Sequence, residues 1–308
     1  MSYIMNRVRN ITALIIFYFM LLSVESAQCP TGRVSLQVLG SGGPELNDQR
    51  ASTSYLIWLD NKAIVMIDAG GGSSYNFEKS GASFNDIKAI AFTHFHVDHS
   101  AEFSAYVKHS YFSRRQKDLL VFGPEGNDFM PSTSEFIDAL FANDGVFPYL
   151  NDHINESSNG RYLLKPHNVS LKETLSEYVI DDELKLSATP VHHGPLAAVA
   201  WRVDIAGCSI TFSGDMSNKY NTLATLAKNS DILVAHNAIP QNANQFALNL
   251  HMPPSEIGKI AKQANVKKLI LSHLMNRTLD KKDETLDVVR KYYNKQVEFA
   301  EDLMIFEL

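Results

Sequence analysis

The stretch Thr93-His94-Phe95-His96-Val97-Asp98-His99 decides the fold class and the chemistry of this chain. It follows the apolar, strand-like residues 87–93 and places three imidazoles and one carboxylate within six positions. Side chains two apart point the same way on a strand end or extended loop, so His94 and His96 can face one point there, whereas a helix would separate them. Asp98 and His99 follow on a turn and can reach a second point. This arrangement suits two adjacent metal ions, for which imidazole and carboxylate favour zinc, although manganese and iron accept them as well. A polar loop that happens to contain histidines is the alternative interpretation.

Four apolar, strand-like segments end in a potential metal ligand. The first leads to His94, and three later segments lead to His193, Asp215 and His273. A polar group at the end of a core strand is costly to bury unless something satisfies it, and shared metal ions would satisfy all four. The pair His192-His193 leaves open which imidazole is the ligand.

The run His-x-His-x-Asp-His after an apolar strand resembles the signature of the metallo-β-lactamase superfamily. Residues 39–44 (Leu-Gly-Ser-Gly-Gly-Pro), followed by Arg50, Ser54 and residues 68–71 (Asp-Ala-Gly-Gly), resemble the opening of its ribonuclease Z-like and arylsulfatase-like branch. The resemblance covers most of residues 28–308. It implies an α+β fold, a four-layer αββα sandwich with the metals at one edge of the sheets.

The resemblance also implies how the ligands are divided between two metals. One metal would take His94, His96 and His193, the other would take Asp98, His99 and His273, and Asp215 would bridge them. The family pattern Val-x-His, matched to Val191-His-His, favours His193 over His192. A bridging aspartate resembles the hydrolase and phosphodiesterase branches, unlike β-lactamases that use cysteine there. Asp68 would lie beside the metals, although a helix or turn cap explains it equally well.

Two residues are expected to act in the reaction itself. Asp98 can orient or deprotonate the attacking water. His251 begins a segment, residues 251–273, that resembles the family segment in which a histidine at a helix start contacts the scissile phosphate and donates a proton. A surface histidine at a helix start is the alternative. The chain also departs from the family here, because His236-Asn237 stands where the ribonuclease Z-like pattern has His-Glu, and an amide cannot stabilise an imidazolium as that carboxylate does.

The first residues have the pattern of a secretory signal. Arg7 and Arg9 precede the apolar residues 11–22, and small residues follow at Ser23, Ser26 and Ala27. We therefore predict a signal peptide over residues 1–27, a periplasmic or secreted protein, and no stable membrane insertion after cleavage. An uncleaved anchor is the alternative, although the apolar run is short for a membrane span. Export makes a disulfide between Cys29 and Cys208 chemically feasible, but the sequence does not say whether they meet.

The remaining 28–308 segment is predicted to form one hydrolase domain with an insertion at about residues 125–168, where the apolar pattern weakens. The chain of 308 residues carries 28 basic and 34 acidic side chains, a net charge of −6. Since no basic stripe is visible, a nucleic-acid polymer is not the expected partner. We expect a small-molecule ester substrate, and a homodimer is left open.

The combined prediction is an exported hydrolase that holds two zinc ions per chain and uses them to make water reactive. Phosphodiesters, including cyclic nucleotides, and aryl sulfate or phosphate esters are the expected substrates. The same metals would suit lactone, thioester or β-lactam carbonyls, and a metal-stabilised binding protein without turnover is an alternative from another class. A transfer-RNA nuclease is the weakest alternative.

Overall fold

The computed structural model describes residues 29–156 and 162–308. The predicted signal peptide and its cleavage zone lie outside the described residues. Two seven-stranded mixed sheets form the body of the chain. In chain order the strands are β1 (Val34–Gly40), β2 (Ser54–Leu59), β3 (Lys62–Ile67), β4 (Ala89–Ala91), β5 (Leu119–Pro124), β6 (Leu164–Val169), β7 (Ser176–Asp181), β8 (Leu184–Pro190), β9 (Val199–Ile205), β10 (Cys208–Phe212), β11 (Ile232–His236), β12 (Lys268–Ser272), β13 (Gln296–Phe299) and β14 (Ile305–Glu307).

The strand order is β14-β1-β2-β3-β4-β5-β6 in the first sheet and β13-β12-β11-β10-β9-β8-β7 in the second. Each sheet is antiparallel on one side and parallel on the other. The helices are α1 (Ser73–Ser80), α2 (Val97–Ser100), α3 (Phe103–His109), α4 (Thr133–Phe141), α5 (Leu223–Leu226), α6 (Gln245–Leu248), α7 (Pro254–Gln263), α8 (Asn276–Leu279) and α9 (Lys282–Arg290), with a 3-10 helix at Pro148–His153.

Three apolar clusters separate four layers. The central cluster lies between the two sheets and contains Tyr55 and Phe122 from the first sheet with Trp201 and Ile210 from the second. A second cluster joins the outer face of the first sheet to α1, α3 and α4. A third joins the outer face of the second sheet to α5, α7 and α9. Strands with both faces covered are buried along their whole length, as β10 and β11 are. The four-layer αββα sandwich predicted from the sequence is therefore confirmed.

The parallel strands bring the polar chain segments together. Strands β3 and β4 run side by side in the first sheet, and β10, β11 and β12 run side by side in the second. The carboxyl ends of neighbouring parallel strands meet at one edge of a sheet, so the residues after these five strands gather at one edge of the sandwich.

The segment from residue 125 to residue 168 is more regular at its end than the sequence pattern indicates. Residues 164–168, expected to belong to the insertion, lie in β6, which pairs in parallel with β5 as an edge strand of the first sheet. Strand β7 is likewise an edge strand of the second sheet. In both strands, exposed residues alternate with more buried ones, and this is why the strands lack the apolar runs of central strands.

The two cysteines form a disulfide, Cys29–Cys208, across a separation of 179 residues. It ties the start of the described chain to the beginning of β10, at the opposite end of that strand from Asp215. Within residues 29–156 and 162–308, no helix combines the length and apolar character needed to cross a membrane.

Candidate metal centre

Three of the strand ends leading into the site adopt left-handed backbone conformations. Asp68 after β3 has φ 56°, His273 after β12 has φ 53°, and Gly214 before Asp215 has φ 57°. Non-glycine residues in this region cost of order 1–3 kcal/mol each and persist where the surrounding structure imposes them. At position 214 a side chain is also sterically excluded, because a Cβ there would lie 2.8 Å from Thr93 Cβ. These turns direct the side chains at the strand ends toward one point.

The first group of candidate ligand atoms comes from His94, His96, His193 and Asp215, and these atoms all lie within 4.8 Å of one another. His96 Nδ1 lies 3.5 Å from His193 Nε2, so these two nitrogens face each other. The other nitrogen of His193 is held by the Leu250 carbonyl at 2.9 Å, where Nδ1–H is the donor. The Nε2 lone pair of His193 is therefore free to bind a cation.

The second group contains His99, Asp215, His236 and His273 within the same limit of 4.8 Å. Asp98, which the resemblance places among these ligands, is there as well: its Oδ2 lies 3.2 Å from His273 Nε2 and 3.5 Å from His99 Nε2. His236 is an addition, because the sequence prediction named it only in the pair with Asn237 and not among the ligands. Its Nδ1 is 2.8 Å from Asp215 Oδ1, a hydrogen-bond distance, so the ring contacts a ligand rather than facing the centre of the group.

Asp215 lies between the two groups. Its Oδ2 is 3.7 Å from both His193 Nε2 and His99 Nε2, and its Oδ1 is 3.3 Å from His273 Nε2. One carboxylate thus faces imidazoles of both groups. This position is what a residue shared by two metal ions requires.

The carboxylate of Asp68 fixes the ring of His99. Asp68 accepts hydrogen bonds from His99 Nδ1 at 2.8 Å, the Thr93 amide at 2.7 Å and Thr93 Oγ1 at 2.8 Å. Thr93 Oγ1 also lies 3.1 Å from His94 Nδ1. Both histidines therefore present Nε2 to the centre. Asp68 serves as an acceptor beside the ligands and is not a helix cap, since α1 begins after Gly72 and has no side-chain cap.

The buried atoms of the site fit a cation. His94 Nε2 and His99 Nε2 are buried and have no hydrogen-bond partner among the described residues. Burying an imidazole nitrogen without a partner is costly, and metal coordination satisfies it. The donor set of imidazoles and carboxylates is the set that divalent zinc, manganese and iron accept.

Electrostatics distinguish the two groups. Burial lowers the pKa of His94 well below its usual value and lowers that of His96, so both rings are neutral and keep a lone pair. Burial opposes ionisation of Asp215, but the nearby ring of His273 holds its pKa well below the ordinary value. Burial likewise lowers the pKa of His99, yet Asp98 and Asp68 outweigh it and raise that pKa well above its usual value. The carboxylate side of the site therefore favours positive charge.

The structure separates the paired histidines. His193 enters the first group, whereas His192 points to Ser217, with Nδ1 2.7 Å from the hydroxyl, and packs edge-on against Tyr220. A strand end sends consecutive side chains in opposite directions, which explains the division.

His251 reaches the centre from the loop before α7. Its Nδ1 is 3.8 Å from Asp215 Oδ2, and burial lowers the pKa of the ring to about 3, so the imidazole is neutral. Asn237 does not hold it: Asn237 Nδ2 donates to the Ile239 carbonyl at 3.3 Å, while Asn237 Oδ1 and His251 Nδ1 are both buried without a partner among the described residues. The departure noted in the sequence thus leaves the imidazole without side-chain support at that nitrogen.

The segment that follows β5 packs beside the site. Phe136 of α4 stacks on Phe95 within the histidine motif, with ring centroids 4.4 Å apart. Asn127 Nδ2 donates to the carbonyl of Pro195, two residues after His193, at 2.8 Å. The segment therefore contacts the two loops that carry the histidines of the first group.

Sequence reasoning missed Arg277 as well as His236. Arg277 lies four residues after His273 in α8, where its Nε donates to the Ala238 carbonyl at 2.6 Å. Burial is the main cause of the lowered pKa of His251, and the positive charge of Arg277 lowers that pKa further. The sequence signal for Arg277 was its position four residues after the candidate ligand His273. The signal for His236 was its position at the end of an apolar strand, but from the sequence His236 was named only in the pair with Asn237.

Comparison with known proteins gives the same family as the motif. The model of the metallo-β-lactamase superfamily matches residues 47–273. Ribonuclease Z of Picrophilus torridus is 27% identical over 276 residues, covering 79% of this chain and 86% of the relative.

Two solved structures share the fold. Human tRNase Z, short form, has a TM-score of 0.66 at 17% identity and covers 88% of this chain and 98% of its own. A diphosphatase from the PhnP family has a TM-score of 0.63 at 18% identity and covers 90% of this chain and 98% of its own. The two structures share the fold, and the ribonuclease Z relative supports the ribonuclease Z-like branch.

Proposed function

The chain belongs to the metallo-β-lactamase superfamily, and from its site we propose that it is a binuclear metal-dependent phosphodiesterase of small substrates. The observation that carries this proposal is Asp215, whose carboxylate faces the ligand nitrogens of both groups at 3.3–3.7 Å. His94, His96 and His193 would hold one ion, and Asp98, His99 and His273 the other. When bound, two zinc ions would polarise the ester and lower the pKa of water.

The side chains around this centre favour an anionic ester. The two carboxylates, Asp98 and Asp215, offset only part of the charge of two divalent cations, so a group of negative charge is attracted to the site. Arg277 adds a guanidinium at the same side, and its charge reaches Asp215 and His251. A phosphodiester or aryl sulfate fits these conditions better than a neutral carbonyl does.

Asp98 and His251 have distinct tasks in this proposal. Asp98 is a hydrogen-bond acceptor at the centre and orients the attacking water. His251 lies against Asp215 Oδ2 at 3.8 Å and contacts the substrate oxygen that leaves. Asn237 does not bond to its Nδ1, so the imidazole lacks the support that a carboxylate at position 237 would give.

The names of the relatives bear on whether the substrate could be a nucleic-acid polymer. The relative from Picrophilus torridus and the human neighbour are named as ribonuclease Z and tRNase Z, which argues against excluding nucleic acid. The net charge of −6 favours a small ester over a polyanion. A short RNA is therefore included in the test.

The test is metal analysis combined with a substrate panel. We expect about two metal ions per chain and hydrolysis of bis(p-nitrophenyl) phosphate. Asp98→Ala should abolish turnover while the far-ultraviolet circular dichroism stays unchanged. Faster turnover of a lactone, thioester or β-lactam would favour the carbonyl hydrolase, and full metal content without any turnover would favour a binding protein. Cleavage of the RNA alone would make the polymer the substrate.

We also propose that the protein is exported. The disulfide Cys29–Cys208 supports this, because disulfides persist in oxidising compartments and are rare in reducing ones. The predicted signal at residues 1–27 ends just before Cys29. Cell fractionation with mass analysis of the mature N-terminus tests it: a reduced, uncleaved protein in the cytosol would contradict export.

A further inference from the structure

We infer that His236 is a positioning residue for Asp215 and not a metal ligand. Its ring belongs by distance to the second group of ligand atoms, all within 4.8 Å of one another. The inference rests on the proposed binuclear centre, and it assigns a task to a buried histidine that the mechanism does not otherwise use. The contacts of its two nitrogens carry the argument.

The Nδ1 atom of His236 bonds to the shared carboxylate. It lies 2.8 Å from Asp215 Oδ1, and because a carboxylate oxygen accepts hydrogen bonds, Nδ1–H is the donor. A nitrogen that carries this hydrogen has no lone pair for a metal. Coordination through Nδ1 would require the bond to Asp215 to break.

The Nε2 atom faces away from the centre, toward the first sheet. It lies 3.3 Å from the hydroxyl of Tyr55, which is itself 2.8 Å from Ser272 Oγ. Tyr55 and Ser272 are fully buried, and Tyr55 belongs to the apolar cluster between the sheets. A neutral imidazole has one donor and one acceptor nitrogen, and with Nδ1–H bonded to Asp215 the lone pair of Nε2 faces the Tyr55 hydroxyl.

The backbone of His236 is tied to the same loop. Its amide donates to Ser213 Oγ at 3.0 Å, and Ser213 lies two residues before Asp215. Ring and backbone thus hold both ends of the segment that delivers Asp215. With Oδ1 bonded to His236, Oδ2 faces His193 and His99, each at 3.7 Å. The bond therefore fixes the carboxylate orientation that two metals share.

Removing such a partner of a ligand typically lowers metal affinity 10–100-fold. The matched pair His236→Asn and His236→Gln tests the inference. The amide nitrogen of asparagine reaches about the place of Nδ1 and can still donate to Asp215, whereas that of glutamine reaches about the place of Nε2. Zinc affinity by chelator competition, the absorption spectrum of the cobalt form, and the melting temperature of the metal-free protein are measured.

We expect His236→Asn to bind zinc within about threefold of the unmodified protein and His236→Gln to lose about 10–100-fold. Tyr55→Phe, which removes the hydroxyl at Nε2, should give a smaller loss of a few fold and serves as the second variant if either substitution prevents folding. An equal loss in both His236 variants would make the imidazole itself a ligand and overturn the inference. Unchanged zinc affinity in His236→Gln would also overturn the inference. If a His236 variant does not fold, unchanged zinc affinity in Tyr55→Phe would overturn it instead. Failure of the unmodified protein to bind zinc would instead refute the proposed function.

Discussion

Asp68→Asn is expected to weaken zinc binding by changing the proton position on His99. Asp68 is completely buried and accepts three hydrogen bonds, two from Thr93 and one from His99 Nδ1 at 2.8 Å. With its amide oxygen retained by the Thr93 backbone, asparagine turns two hydrogens toward Thr93 Oγ1 and His99 Nδ1. The imidazole must then accept at Nδ1, and its hydrogen moves to Nε2, the atom that faces the metal centre.

The size of the effect follows from the same contacts. A hydrogen bond to a charged group contributes about 1.5–3 kcal/mol, and the partner of a metal ligand typically changes affinity 10–100-fold. Both figures correspond to a loss of about one to two decades in zinc affinity at the second group. Turnover of bis(p-nitrophenyl) phosphate should fall with zinc occupancy and recover in part at high zinc concentration.

Asp231→Asn is the matched control. Asp231 also accepts from a backbone amide and a hydroxyl, both of Ser209, at 2.7 and 3.0 Å, but at the opposite end of the sheet from the metal centre. The Asp231→Asn protein should bind zinc with unchanged affinity even if its free energy of unfolding is lower. An Asp68→Asn protein that binds two zinc ions with unchanged affinity would refute the reasoning about His99.

Three further predictions follow from other parts of the structure. Replacing Cys29 and Cys208 by serine should lower the free energy of unfolding in urea by about 2–5 kcal/mol and leave zinc affinity unchanged, since the bond closes a loop of 179 residues far from the site; altered zinc binding would contradict this. Arg277→Leu should raise the KM for bis(p-nitrophenyl) phosphate about fivefold, because about 1 kcal/mol of attraction is lost. The KM for neutral p-nitrophenyl acetate should not change, and an equal rise for both substrates would show that the charge is not responsible. Gly43→Ala should lower zinc affinity about 10–100-fold, because its Cβ would lie 2.7 Å from His273 Cε1 and displace that ring; normal affinity would show that the loop yields instead.

The sequence determined much of the site because the relevant information is local. His94, His96 and His99 are fixed by a seven-residue motif, and Asp215 and His273 directly follow apolar strands. Periodicity alone predicts where a strand ends, and neighbouring parallel strands bring their ends to one edge. The fold class followed from the resemblance of the motif to the metallo-β-lactamase superfamily, whereas the polar edge strands β6 and β7 gave no comparable signal.

Only the tertiary structure decided the contacts between distant segments. From the residues alone, the sequence could not choose His193 over His192 or pair Cys29 with Cys208. It also could not show that His236 bonds to Asp215, or that Asn237 gives His251 no support. Each depends on the direction in which a side chain leaves its strand and on what the opposite sheet places there. Hydrogen bonds act over about 3 Å, so such partnerships are settled by packing across the sandwich, which the order of residues along the chain does not record.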